Sequence, residues 1–386
     1  MDIIAKNVKA IELSGIRRFA NKVAEYPGAI SLTLGQPDYK VPAAIKAAMI
    51  KAIEENKTVY TTNPGIIELR QEISKFLHGF KIEYSPEEIC ITVGGSEGLM
   101  TVFTTIINPG DKVLIPTPSY PSYESIVKIL GGEVINYTLD ENDFSLCLED
   151  LERKLKIENI KAMVLSYPSN PTGAILSKKN KEALHEIIKE KDIMVITDEI
   201  YSSLYFEDEY NSIAQYKDII DKIILISGFS KMFSMTGLRL GYVCASKKII
   251  KDIIKVHQYS VSCAPSISQY GALEGLKYCL PEVKEMSLEY EERRDYVYKR
   301  LNELGFQVFL PRGAFYIFPS IKRFGLSSEE FCQSLLSEGK VAIVPGSAFG
   351  IGGEGYIRIS YAYSRSELKD AFSRLENWMR IKGYIG

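Results

Sequence analysis

The chain has 386 residues, of which 46% are hydrophobic and 25% charged, and its formal net charge is -2. That length supports a large core divided between two domains, and a charge so close to neutral supplies no general attraction to nucleic acid or an anionic membrane. No apolar run reaches membrane-spanning length, and the start Met1-Asp2-Ile3-Ile4-Ala5-Lys6 lacks a secretory leader's basic-then-apolar pattern, so a cytoplasmic protein is expected. Six cysteines without a CxxC pair read as buried free thiols, and the three histidines fall at no metal-ligand spacing, so no metal site is expected.

Residues 1–42 carry a helix near Gly15–Ala24 and the short apolar run Ala29–Leu34. Residues 43–278 then alternate short β-rich runs with amphipathic helical patterns. Strands are predicted at Ile89–Val93, Lys112–Ile115, Ala162–Ser166, Ile193–Thr197, Ile223–Ser227 and Gly241–Ala245. Helices are predicted at Ser96–Ile107, Tyr123–Leu130, Lys178–Lys189 and Lys247–His257. This alternation predicts an α/β fold, a mostly parallel sheet between helices. Residues 279–386 change character. A long charged helix over about Pro281–Leu304 is followed by Phe315–Pro319, a helix from Ser327, the runs Val341–Pro345 and Tyr356–Tyr361, and a last helix from Ser366. They read as a smaller α+β domain.

Ligands of open α/β sheets collect beyond the carboxyl ends of strands, and most of the motifs with chemical content follow a predicted strand. Gly94-Gly95-Ser96-Glu97-Gly98 opens a helix, where glycines and free N–H groups can approach an anion. Pro116-Thr117-Pro118-Ser119-Tyr120-Pro121 and Asn170-Pro171-Thr172-Gly173 read in isolation only as rigid turns. Asp198-Glu199-Ile200-Tyr201 closes an apolar strand with a carboxylate, which alone is an ordinary cap. Gly228–Gly241 holds Lys231 in a small-residue turn and Arg239 eight residues on. A lysine so placed can form a Schiff base with an aldehyde, and a fixed arginine can grip a phosphate, though a lone lysine is usually a solvated surface charge. Arg358 sits inside the apolar strand pattern Gly-Tyr-Ile-Arg-Ile-Ser-Tyr, where an unpaired charge is costly.

The stretch from Gly228 to Gly241 closely resembles the lysine-attachment signature of class I aminotransferases, and further motifs of that family recur in order over almost the whole chain. The resemblance implies pyridoxal 5'-phosphate fold type I, with a seven-stranded sheet in the large domain and a small domain drawn from both termini. It implies that Lys231 carries the cofactor and shuttles the substrate proton. Asp198 would hold the ring nitrogen protonated, Tyr201 and Asn170 would bond the ring's phenolic oxygen, and Tyr120 would stack on the ring. Gly95, Ser96, Glu97, Ser230 and Arg239 would surround the phosphate, with Tyr60 reaching the neighbouring subunit's cofactor in an obligatory homodimer. Arg358, Gly35 and Asn170 would hold the substrate. An Asn170–Pro171 cis bond is expected.

Within the family the chain looks most like the aromatic and N-acetyl-L,L-diaminopimelate aminotransferases, on stretches such as 256–259 and 313–322. Gly228 departs from the phosphate-contacting serine of many members. Tyr39, Tyr259 and Phe349 are candidate pocket aromatics for an aromatic or long side chain, with 2-oxoglutarate as the expected acceptor. Three rivals stand beside this reading: a C–S lyase or cyclase on the same scaffold, a non-catalytic regulator, and a serine hydrolase. The second would need a DNA-binding module ahead of Gly15. The third lacks a Gly-x-Ser-x-Gly elbow.

Overall fold

The computed structural model describes residues 3–157 and 159–386. Met1 and Asp2, part of the reading of the chain's start, lie outside the described residues. After a short N-terminal strand β1 (Ile30–Ser31), seven strands form the main sheet: β2 (Ile89–Thr92), β3 (Lys112–Thr117), β4 (Glu133–Thr138), β5 (Ile160–Ser166), β6 (Met194–Asp198), β7 (Ile223–Gly228) and β8 (Gly241–Cys244). Their order is β2-β8-β7-β6-β5-β3-β4, with every pairing parallel except the two made by β8.

Six of these strands coincide with predicted runs to within two or three residues. The seventh, β4, was not predicted. It is an edge strand, and Glu133 and Thr138 are exposed, so it lacks the continuous apolar run of a strand buried on both faces.

Along the central strands, side chains alternate between two apolar clusters. Ala162, Val164, Ile224 and Ile226 join one cluster, with the helices Gly94–Ile106, Ser122–Ile129 and Lys247–Val261. Met163, Leu165, Ile223 and Leu225 join the other, with the helices Ile67–Gly79 and Lys178–Lys189. Each fully buried Val, Leu, Ile or Met side chain contributes about 1.5–3 kcal/mol, so the layers lock the sheet register. Among the described residues no helix is long and apolar enough to cross a membrane.

The C-terminal part builds β9 (Tyr316–Ile317), β10 (Val341–Ala342), β11 (Val344–Pro345) and β12 (Ile357–Ser360). β11, β12 and β9 form an antiparallel sheet in that order, whereas β10 pairs in parallel with β1. The single predicted run Val341–Pro345 therefore divides at Ile343 between two sheets. The N-terminal segment is tied to the C-terminal part, and Ser360 N–H donates to Leu32 O at 3.0 Å. The long helix runs Leu280–Glu303 and the last one Arg365–Ile381; Ser327 and Ser364 cap their helices through capping boxes with Glu330 and Glu367.

Because β8 runs against its neighbours, it begins at the edge where they end, bringing Arg239 to the same edge as Gly94 and Lys231. Two glycines make that edge tight. A Cβ on Gly241 would lie 2.7 Å from Gly94 C and 2.8 Å from Gly95 N, and one on Gly228 would lie 2.7 Å from Gly241 Cα. A serine at position 228 would press on backbone, which is the steric reason for glycine there. Gly241→Ala is expected to destabilise the protein by about 1–3 kcal/mol through overpacking, read as a lower thermal-unfolding midpoint. An unchanged midpoint would contradict the packing described.

Candidate active site

A cavity of about 600 Å³ opens at this edge. Its walls include Gly95 and Ser96 after β2, Tyr120 after β3, Asn170 after β5, Asp198 at the end of β6, and Ser230 and Lys231 after β7. Arg239 enters just ahead of β8, while Gly35 and Arg358 close the site from the N-terminal segment and β12. Residues far apart in the chain thus meet because parallel strands end on one edge.

Lys231 lies on the one-turn helix Phe229–Met232, and its Nζ donates to Gly35 O. The amine lies 5.7 Å from the Tyr201 ring centroid and 5.8 Å from that of Phe315. Burial, then the positive charges of Arg358 and Arg239, push it down to about 8, against the opposing pull of Asp198. Asp198 is buried, and burial raises its carboxyl above the usual range. Hydrogen bonds from Tyr123 Oη to Oδ2 (2.7 Å) and from Ile200 N–H to Oδ1 (3.1 Å) work in the opposite direction. Tyr123 Oη also lies 3.0 Å from Ser166 Oγ.

Arg358 is only 1% exposed, yet no described carboxylate pairs with it. Nη1 donates to Asn170 Oδ1 at 2.9 Å and Nη2 to Thr33 O, while Nε is buried without a partner. The Tyr316 ring, 4.3 Å from the guanidinium carbon, and Phe349, at 5.0 Å, supply aromatic faces. Burial holds the Arg358 pKa below its ordinary value. Tyr316 Oη meets Tyr201 Oη at 2.7 Å and leaves no room for a Cβ on Gly35.

Arg239 adopts a left-handed backbone (φ 52°), and its Nη1 donates to Thr236 O at 2.8 Å. A Cβ on Gly94, itself at φ 71°, would sit 2.5 Å from Arg239 Nη2. Only glycine lets this guanidinium lie against the helix start. Tyr120 lines the cavity edge-on to Tyr123, with centroids 5.7 Å apart. The Asn170–Pro171 bond is cis, as expected, and so are Thr117–Pro118 and Tyr167–Pro168.

Other expected residues lie elsewhere. The Glu97 side chain turns away from the cavity. Its Oε2 accepts from Val93 N–H at 3.0 Å, and Oε1 accepts from Thr101 and lies 3.2 Å from His257 Nδ1, because a carboxylate in the first helical turn caps its own helix. Tyr60 is 85% exposed in a separate groove with Val59 and Tyr270. Tyr39 packs beside Arg293 and Tyr290, and Tyr259 is exposed; neither lines the cavity. Phe349 is buried behind Arg358. Reading the sequence missed Tyr123, Tyr316 and Arg17 as wall residues. Tyr123 had a signal, since it lies in the first turn of the helix that follows the Tyr120 motif.

Residues 27–375 match the family model for aminotransferase class I and II. The chain belongs to the class I and II aminotransferases. It is 45% identical over 376 residues to a probable N-acetyl-LL-diaminopimelate aminotransferase of Bacillus subtilis, covering 97% of this chain and 95% of the relative. It is 40% identical to an aspartate aminotransferase of Pyrococcus abyssi, over 96% of each chain. The solved aromatic aminotransferase of Pyrococcus horikoshii superposes with a TM-score of 0.90 at 37% identity, covering 95% of this chain and 100% of that one.

The protein is therefore an aminotransferase dependent on pyridoxal phosphate. The donor set fits that group: an amine of lowered pKa suits an aldehyde, a glycine-lined helix start beside Arg239 suits a phosphate, and a buried carboxylate suits a ring nitrogen. Only the neutral amine of Lys231 attacks an aldehyde, and its fraction grows as pH rises. Cofactor uptake by the cofactor-free enzyme, followed by absorbance, is expected to accelerate with pH and level off above about 8. A rate flat between pH 6 and pH 9 would contradict this.

Proposed function

We propose that this aminotransferase moves the amino group of an L-amino acid with an aromatic or N-acyl-diaminopimelate-like side chain to 2-oxoglutarate, acting as a cytoplasmic homodimer. One observation carries the reading: a buried guanidinium with no carboxylate partner shares a cavity with an amine whose pKa is depressed. An unpaired buried cation is costly, so the site is built for an anionic ligand placed beside a base.

Bound pyridoxal phosphate supplies an electron sink conjugated to the substrate's Cα. The chain's own residues do the rest. Arg239, Ser96 and the N–H groups at the start of the helix Gly94–Ile106 would hold the phosphate, with Ser230 beside them. Asp198, kept in place by Tyr123, would hold a proton at the ring nitrogen. Tyr201 and the Asn170 amide would bond the phenolic oxygen, and Tyr120 would cover one ring face. Arg358, positioned by Asn170 and Thr33, grips the substrate α-carboxylate through its two outer N–H groups and fixes the Cα–H bond for removal. Lys231 Nζ would take that proton from Cα and give it back on the same face.

Ile16, Ala20 and Leu34 supply apolar cavity wall, which supports a donor with an apolar side chain. Exposed Tyr60 in its own groove supports a subunit boundary there, with Tyr60 serving the neighbouring site. The division of the chain at residues 42 and 278 remains part of the proposal, supported by the pairing of β1 with β10.

A half-reaction screen tests the reading. Each amino acid is mixed with the enzyme, and loss of the cofactor's visible absorbance is followed together with the 2-oxo acid released. Aromatic or N-acyl-diaminopimelate donors should react fastest. Release of pyruvate, ammonia and homocysteine from cystathionine, or of pyruvate, ammonia and sulfide from cysteine, would instead replace transfer by elimination. Lys231→Ala should lower turnover by at least about a hundredfold. Arg358→Lys should raise KM for the amino acid about tenfold to a hundredfold, since a lysine cannot match the guanidinium fork. Near-normal kinetics in either variant would overturn the roles given to these residues.

A further inference from the structure

We propose that His257 is a positioning residue for the cradle of the cofactor's phosphate, acting through Glu97 on the turn between β2 and the helix Gly94–Ile106. This rests on the aminotransferase reading above and gives a role to a buried pair that the proposed mechanism leaves unused.

Glu97 stands in the first turn of that helix, next to Gly95 and Ser96 on the cavity wall. Three donors hold its carboxylate away from the cavity: Val93 N–H at 3.0 Å from Oε2, Thr101 Oγ1 on Oε1, and His257 Nδ1 at 3.2 Å from Oε1. A carboxylate only accepts, so Nδ1 carries the donated hydrogen. Val93 and Thr101 each lie 4 residues from Glu97, whereas His257 comes 160 residues later, on the helix Lys247–Val261. Of the three, only the His257 contact ties the turn to a separate element. That element follows β8, and Arg239 stands just ahead of β8. The pair thus joins the two sides of the phosphate cradle, the helix start at Gly94 and the strand that brings Arg239. Thr92 Oγ1, donating to Gly94 O at 3.0 Å, fastens the same turn from the strand side.

The surroundings of His257 single out that one bond. The residue is 0% exposed, on a helix face with buried Ile250 and Ile253, and Nε2 has no partner among the described residues. An unpartnered buried nitrogen costs stability that an aliphatic side chain of similar size avoids. Without the Nδ1 donor, the Glu97 carboxylate, only 12% exposed, would lose a hydrogen bond and turn toward other donors. The free N–H groups of its own helix start are such donors, and a phosphate requires them.

The test titrates the full-length chain, freed of cofactor, with pyridoxal phosphate and with pyridoxal, which shares the ring and aldehyde and lacks the phosphate. Absorbance gives a dissociation constant for each. Leucine and asparagine have nearly the same shape, and asparagine alone places an N–H donor near the position of Nδ1. His257→Leu should weaken pyridoxal phosphate about tenfold and pyridoxal by less than about threefold, whereas His257→Asn should keep both within about threefold. Glu97→Leu should show the same selective loss, and His257→Leu added to it should lose nothing further. A purely structural role would weaken both ligands alike, and that result overturns the proposal. So does an undiminished preference for the phosphate ester in His257→Leu, or an equal loss in His257→Asn. Should His257→Leu not fold, the Glu97→Leu and His257→Asn titrations decide on the same criteria. An unaltered chain that binds neither ligand sinks the aminotransferase reading first. An unaltered chain that binds pyridoxal phosphate, with position 257 without effect, sinks only the role of His257.

Discussion

The site depends on keeping a positive charge out of water without a fixed counter-ion. Arg358 is 1% exposed on β12, and its hydrogen bonds go to a neutral amide and a backbone carbonyl. Removing such a charge from water costs several kcal/mol, only partly offset by dipoles and by the Tyr316 and Phe349 rings. The surrounding layers must over-determine its position for the fold to tolerate it. They do so from three directions: Thr33 follows β1, Asn170 follows β5, and Tyr316 belongs to β9. The same positive field helps depress the Lys231 amine, so one constraint prepares both the anion site and the base.

The negative side of the site is built with equal restraint. Asp198 and Glu199 are consecutive carboxylates at the end of β6, and both are buried. Asp198 looks into the cavity. Glu199 accepts hydrogen bonds from Thr197, Ser212 and Tyr210 in a pocket of polar side chains, where burial pushes it up to about 7. Two charges so close would repel, and the raised pKa of Glu199 lets it relieve that repulsion by taking up a proton. Among the described residues Asp198 is the one carboxylate on the cavity wall.

Much of this was legible in the residues. The six apolar strand runs were visible because strands buried on both faces carry continuous Val, Ile and Leu. The motifs following them were visible because glycine, proline and asparagine mark the turns where such strands stop. Edge strand β4 was not visible, since half its surface meets water and its composition turns mixed. Glu97 was placed in the cofactor cradle by its neighbours in sequence. Its side chain instead serves Val93, Thr101 and His257, because a first-turn carboxylate finds its own helix start before it finds a ligand.

The sequence by itself narrowed the chemistry to a few reactions, because a lysine, an aspartate and an arginine stand in turns at strand ends and a second arginine stands inside an apolar strand. Tertiary structure alone decided which side chains face the cavity. Tyr123 reaches Asp198 across 75 residues and Tyr201 reaches Tyr316 across 115. Arg17 lines the cavity and its neighbour Arg18 pairs with Glu329, because buried Phe19 sets the rotation of their helix. Local pattern cannot contain that information: it arises when separate layers pack and each side chain must take the space the others leave.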